Sequence, residues 1–151
     1  PAPAERWPEV TISTPRDTHG PFALKLIGGH QAHNAALAVA AVGRLRERGL
    51  SIPDRAVAWG LRSVRWPGRV EVVARRPAVV LDTAHNVPSV EALVGTLAEA
   101  FPTVGRKAVV FAVSSDKPVR DMLRALAGFF DHFHLTRYGS NPRSVPPTDL
   151  A

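Results

Sequence analysis

Five consecutive residues, Asp82-Thr83-Ala84-His85-Asn86, bring an acid, an imidazole and an amide together directly after the apolar run Ala78-Val79-Val80-Leu81. A helical pattern opens just beyond them at Pro88. In an open α/β sheet the carboxyl end of a strand borders the crevice where ligands bind. An aspartate there can accept hydrogen bonds from ribose hydroxyls, or cap and order its own loop. His85 can donate to a phosphate oxygen or carry a proton near neutral pH, or be satisfied by backbone. Asn86 reads most simply as the cap of the helix that follows.

Two further stretches carry chemistry. Trp66-Pro67-Gly68-Arg69-Val70-Glu71 sets a guanidinium just after a Pro-Gly hinge. Such a cation can contact a polyphosphate through charge-assisted hydrogen bonds of about 1.5–3 kcal/mol each, or sit in a surface ion pair of at most about 1 kcal/mol. Upstream, Gly28-Gly29-His30-Gln31-Ala32-His33-Asn34-Ala35-Ala36 opens an alanine-rich helical pattern. His30 and His33 share a helix face at i and i+3, but a zinc site needs a third ligand that no pattern supplies. Asn34 on the same turn can reach a purine edge with both amide groups, or remain a surface amide. Ser114-Ser115-Asp116-Lys117 follows another strand pattern, and its hydroxyls, helix N–H groups and lysine suit a carboxylate or phosphate, or a plain helix cap. Lys25 and Lys107 read as ordinary charges flanking apolar strands. There is no nucleophile elbow, no Ser-His-Asp order and no GxGxxG, so hydrolase and dinucleotide chemistry have no support.

The elements that must position these residues read as follows. Val10 to Ser13 and Phe22 to Ile27 are short strands joined through a turn-forming stretch, Thr14 to Pro21, and suggest a hairpin at the edge of a larger sheet. A long helix runs from Gln31 to Arg48, with Ala35, Val39, Val42 and Leu45 on one stripe and Gly49 as its stop. A second helix starts near Pro53 and ends about Val64. The composition breaks at Arg65-Trp66-Pro67-Gly68, which places a domain boundary there: residues 1–65 form one unit and 66–151 another. Beyond it, strands (Val70 to Ala74, Ala78 to Asp82, Lys107 to Val113, His132 to Thr136) and helices (Pro88 to Phe101, Pro118 to Phe130) follow one another. That order predicts an α/β fold, a Rossmann-like doubly wound, mostly parallel sheet covered on both faces, preceded by a hairpin and two helices. No closing strand is expected after Asn141 to Pro147, so the second domain reads as cut short at Ala151.

Composition narrows the class. A chain of 151 residues with 45% apolar residues can bury a core. The first 21 residues hold five prolines and read as loosely structured. The absence of cysteine excludes disulfide frameworks, thiolate metal sites and thiol catalysis, and fits a reducing cytoplasm. No signal peptide and no membrane-spanning stretch is legible. The net charge of +6 comes from arginines scattered through every segment, with three Trp, one Tyr and six Phe. A nucleic-acid binder concentrates its charge on one face; scattered charge suits a small anionic substrate better. Residue 1 is Pro and the sole methionine is Met122, which reads as a chain that begins inside a longer reading frame.

Taken in order, the His30-to-Ala36, Trp66-to-Glu71 and Asp82-to-Asn86 motifs resemble folylpolyglutamate synthase, often also dihydrofolate synthase, within the Mur ligase superfamily. The resemblance extends from about Leu26 to Lys117 and includes Asp116-Lys117 followed by Met122-Leu123. It implies that residues 1–65 are the tail of a central ATPase domain and 66–151 a glutamate ligase domain. It also implies an ATP- and Mg²⁺-dependent ligase that activates a folate or dihydropteroate carboxylate as an acyl phosphate for attack by L-glutamate. Asn34 would then meet the adenine, Arg69 the phosphates, Asp82 the ribose and His85 the phosphates or their surroundings. Arg69 and His85 would be the catalytic pair, carried onto the nucleotide by closure about Arg65 to Gly68. Ser114, Asp116 and Lys117 would lie near the incoming glutamate.

Two departures bear on that reading. The family usually has glycine where Thr83 stands, and a β-branched residue is strained if the position needs a positive φ. The phosphate-binding loop and magnesium ligands belong to a preceding domain not contained in these residues, so the chain alone is not expected to turn over. The rival readings are a non-catalytic module that binds glutamate, a nucleotide or a partner protein, and a Mur-type ligase acting on a peptidoglycan precursor. The Trp66-to-Glu71 motif speaks against the latter.

Overall fold

The computed structural model describes residues 8–13, 17–102 and 105–150. The chain divides into two compact units, Pro1–Asp82 and Thr83–Ala151. The expectation of a loose proline-rich start falls largely on residues 1–7, outside the described residues.

In the first unit, β1 (Glu9–Ser13) and β2 (Thr18–Ala23) pair antiparallel, with Val10 opposite Phe22 and Ile12 opposite His19. Strand β2 starts earlier than the apolar pattern indicates, because Thr18, His19 and Gly20 take up pairing before the apolar residues begin. Among the described residues the hairpin is a two-stranded sheet of its own rather than the edge of a larger one. Helix α1 (Gly29–Glu47) lays Ala35 and Val39 against Ile12, Phe22 and Leu24 to make the first core. Alanine at this contact lets helix and hairpin approach closely. The buried stripe is Gln31, Ala35 and Val39, at i, i+4 and i+8; Leu45, expected on it, is 41% exposed. Gly49, with φ of 92°, takes the left-handed conformation that ends the helix without a Cβ clash. Helix α2 (Asp54–Ser63) packs Val57, Ala58 and Leu61 onto the same core, and Lys25 N–H donates to Leu61 carbonyl at 3.2 Å. The hairpin and two helices read from the sequence are thus present.

Strands β3 (Glu71–Arg75) and β4 (Ala78–Leu81) correct the expectation of a parallel arrangement here. They pair antiparallel, with Arg75 opposite Ala78. Only Arg76 and Pro77 join them, and a parallel pair needs a crossover of about a dozen residues or more.

The second unit carries the parallel pair. Strand β5 (Ala108–Phe111) and strand β6 (His132–Leu135) run side by side in register, connected through helix α4 (Val119–Ala127). With helix α3 (Val87–Ala100) this is the α/β unit that the alternating pattern predicts. One face of the pair, Val109, Phe111, Phe133 and Leu135, packs on Val90, Met122 and Leu126. The other face carries Ala108, Val110, His132 and His134 and is exposed, Val110 by 72%, so the cover expected on both faces lies on one. The tail after Asn141 is not loose. Ser144 forms an antiparallel bridge with Ser114, Val145 N–H donates to Val113 carbonyl at 3.0 Å, and Leu150 beyond a short 3₁₀ turn (Pro147–Asp149) is buried in the core.

Met122 is 1% exposed at the centre of this core, whereas Val110 stands on the open face. Met122→Ala is expected to lower unfolding stability by about 2–5 kcal/mol, and Val110→Ser to stay within about 0.5 kcal/mol. Urea denaturation of both variants checks the contrast.

Candidate functional site

The motif Trp66 to Glu71 is built as a loop rather than a free hinge. Gly68 has φ of 71°, a conformation that costs glycine nothing, and its N–H donates to the Glu71 carboxylate at 2.9 Å. Two residues on, Val70 has φ of 46°, and among the described residues it is the one non-glycine position in the left-handed region. A β-branched residue there is strained by about 1–3 kcal/mol and persists only where its surroundings hold it. Two features hold it: Val70 is 2% exposed, and its N–H donates to the Asp82 carboxylate at 2.8 Å. The acid from the end of β4 therefore anchors the loop that carries Arg69. Thr83 is not among the left-handed residues, so its replacement of the usual glycine brings no backbone penalty.

Arg69 lines a cleft of about 480 Å³ in the first unit together with Trp66, His30, Gln31 and Asn34. That volume lies within the range of small-molecule sites, about 300–1,000 Å³. Leu26 and Leu61 supply part of an apolar wall. On the α1 side, Asn34 donates from Nδ2 to Gln31 Oε1 at 3.0 Å, and Gln31 Nε2 lies 2.9 Å from His30 Nε2. Trp66 is 62% exposed, leaving an indole face open to a planar partner. The arrangement offers an amide for a heterocycle edge, aromatic and aliphatic surface for its faces, and a guanidinium for an anion. Gln31, Trp66 and Val70 stand within the motifs read from the sequence, which assign them no role of their own. Only the position of Gln31 at the i, i+4, i+8 spacing of the buried stripe could have marked it.

In the second unit, His85 and Asn86 sit at the start of α3. Asn86 caps the helix: its side chain accepts from Ser89 N–H at 2.9 Å, and Ser89 Oγ accepts from Asn86 N–H at 3.1 Å. This reciprocal pair leaves Asn86 a structural role. His85 is exposed, and its Nδ1 lies 3.1 Å from the Thr83 carbonyl, which orients the ring within its own loop.

The Ser114-to-Lys117 turn lies past the carboxyl end of β5. Lys117 N–H donates to Ser114 carbonyl at 3.1 Å, and Ser115 N–H to Arg143 carbonyl at 2.8 Å. Asn141 Nδ2 donates to Ser114 Oγ at 3.4 Å. Lys117 Nζ lies 2.9 Å from one Asp116 oxygen and Arg143 3.9 Å from the other. The hydrogen bond from Lys117 is the main reason the Asp116 carboxyl lies below the usual aspartate range, with the charges of Lys117 and Arg143 adding to it. Arg143, which the sequence reading passed over, arrives through the returning tail. A carboxylate beside two cations can match the opposite charges of an amino acid. A second hollow, of about 460 Å³, is lined by Arg106, Lys107, His132 and His134 at the amino ends of β5 and β6. It lies at the end of the strands away from the Ser114 turn, whereas ligands of open α/β sheets gather beyond the carboxyl ends. Among the described residues no three His, Asp or Glu side chains converge as metal ligands. No helix among them is long and apolar enough to cross a membrane.

Residues 68–151 match the family model described as Mur ligase, glutamate ligase domain. The chain is 34% identical over 143 residues to the dihydrofolate synthase/folylpolyglutamate synthase of Bacillus subtilis, covering 94% of this chain and 33% of that protein. It superposes with a TM-score of 0.79 and 36% identity on Mycobacterium tuberculosis folylpolyglutamate synthase complexed with ADP, over 88% of this chain and 29% of that one. A bifunctional folylpolyglutamate synthase/dihydrofolate synthase solved with Mn, AMPPNP and L-glutamate bound aligns with a TM-score of 0.74 and 27% identity, over 92% and 32% of the two chains. The chain thus spans about a third of the length of these relatives.

Two tests follow from the geometry. Asp82→Ala removes a charge-assisted acceptor from a strained, buried backbone and is expected to lower stability by about 1.5–3 kcal/mol, measured by thermal or urea unfolding. A carboxyl held below its unfolded value contributes stability above that value and loses it as pH falls through the folded one. Lys117→Ala is therefore expected to move the Asp116 titration upward, towards the ordinary aspartate range, in carboxyl-detected NMR.

Proposed function

Because this chain belongs to the Mur ligase family and carries its glutamate ligase domain, we propose that it is part of an ATP-dependent ligase that joins L-glutamate to a folate or dihydropteroate carboxylate. The observation that carries the reading is the cleft on which Asn34 and Arg69 stand together, with Arg69 on a loop anchored by Asp82. The ligands named for the related structures support the same assignment: ADP in one, and AMPPNP, Mn and L-glutamate in another.

The chemistry answers a plain requirement, since a carboxylate is a poor electrophile at neutral pH. A carboxylate oxygen attacks the γ-phosphorus of ATP, the bond to the bridging oxygen breaks, and ADP leaves. The glutamate amine then attacks the acyl carbon, phosphate departs, and the amine loses its proton. In this chain Asn34 takes the adenine edge, Asp82 the ribose, and Arg69 the phosphates, where a guanidinium stabilises the charge that develops on transfer. His85, exposed at the start of α3, serves the phosphates or their surroundings, and Ser114, Asp116 and Lys117 lie near the incoming amino acid. Magnesium, which would screen the polyphosphate, would take its ligands mainly from outside this chain. Residues 1–65 belong to the preceding ATPase domain and 66–151 to the ligase domain, in an enzyme of the cytoplasm.

The deciding experiment measures ADP release by the complete reading frame with ATP, Mg²⁺ and glutamate, in the presence of dihydropteroate, tetrahydrofolate or no pterin. Release that needs both glutamate and a pterin is expected. Release indifferent to both pterins counts against the folate substrate, and none at all favours a binding module or another Mur-type substrate. In the same assay Arg69→Ala is expected to lower the ligation rate at least about tenfold, the scale of one lost charge-assisted contact. An unchanged rate at saturating ATP would remove that role from Arg69.

A further inference from the structure

A side-chain amide that reads a purine edge must face it the right way round. Asparagine carries an acceptor at one end of its amide and donors at the other, and a half-turn about the last bond exchanges them. Asn34 is exposed, so burial does not set which end meets the cleft. Gln31, one turn earlier on α1, does. It is 6% exposed and lines the same cleft. Its Oε1 accepts from Asn34 Nδ2 at 3.0 Å, and its Nε2 lies 2.9 Å from His30 Nε2, which must then be the ring nitrogen without a proton. Both ends of the buried amide are therefore engaged. With His30 Nε2 unprotonated, turning Gln31 over would set its oxygen against that ring nitrogen, acceptor against acceptor, and its nitrogen against that of Asn34, donor against donor.

We infer that Gln31 is a positioning residue that sets purine selectivity by fixing the Asn34 amide. The inference rests on the nucleotide reading above. One hydrogen of Asn34 Nδ2 is held by Gln31, which leaves Oδ1 and the second hydrogen for the ligand. An acceptor beside a donor is the pairing that a 6-aminopurine satisfies through its amino group and a ring nitrogen. A 6-oxopurine presents a carbonyl oxygen where the amino group was, and two acceptors then meet. Without Gln31 the Asn34 amide is free to turn, and on the N1 edge of a 6-oxopurine its nitrogen then donates to that oxygen while its oxygen accepts from N1–H, so discrimination relaxes.

The test uses the complete reading frame with its glutamate and pterin substrates, and compares ATP with ITP, which differs from it only at the purine 6-position and the adjoining ring nitrogen. Gln31→Met keeps the length of the side chain and removes the amide. Relative to wild type it is expected to raise the KM for ATP about tenfold with kcat within about twofold, and to cut the ATP-over-ITP ratio of kcat/KM at least about fivefold, the size of one hydrogen bond. Gln31→Glu retains an oxygen that accepts from Asn34 and is expected to keep the ratio within about twofold of wild type. A ratio unchanged in Gln31→Met, a loss confined to kcat, or a wild-type enzyme indifferent to ATP and ITP overturns the inference while leaving the ligase reading intact. If Gln31→Met does not fold, Gln31→Leu takes its place with the same expected loss of the ratio, an unchanged ratio overturning the inference, and a ratio lost in Gln31→Glu overturns it as well. An enzyme that releases ADP with neither glutamate nor pterin dependence overturns the ligase reading itself, and the inference with it.

Discussion

The carboxylate of Asp82, 2.8 Å from the N–H of Val70, joins two segments twelve residues apart in sequence and holds a β-branched residue in a left-handed conformation. Strain of this kind survives only where several contacts oppose its release. Here burial of the Val70 side chain and the ionic acceptor act together. Arg69 immediately precedes Val70, so its backbone direction is inherited from that anchor. In the proposed enzyme Asp82 therefore has two duties: it holds the loop, and it faces the ribose. A carboxylate has lone pairs enough for both.

A second constraint acts from the other wall of the cleft. Helix α1 buries Gln31 on the stripe that carries Ala35 and Val39, although glutamine is a poor residue to bury without partners. Its partners are His30 and Asn34, both on the cleft. The packing that seats α1 on the β1–β2 hairpin thereby also sets the polar groups at its start. Stability and recognition share one helix face, which is why a substitution at Gln31 must be read through selectivity and KM as well as through melting.

In the second unit the returning tail plays the comparable part. Ser144 bridges Ser114, and Arg143 carbonyl receives Ser115 N–H, so the turn after β5 is closed by residues nearly thirty positions away. The same return sets the Arg143 side chain near Asp116. Asp116 thus lies between two cations, and its titration reports on both.

The local elements were legible from sequence because their causes are local. Glycine at φ of 92° stops α1, proline is accepted at the start of α3, and apolar residues at helical spacing mark α3 and α4. The three polar motifs and their order were equally legible, and with them the family. Pairing was not. The apolar runs of β3 and β4 look like parallel strands, and only the two-residue connection, read against the length a crossover needs, makes them a hairpin. Nor could residue type say that Val70 rather than Thr83 carries the left-handed strain, or that Arg143 comes back to Asp116. Each depends on which groups meet across the chain, and hydrogen bonds between distant residues leave no period in the sequence.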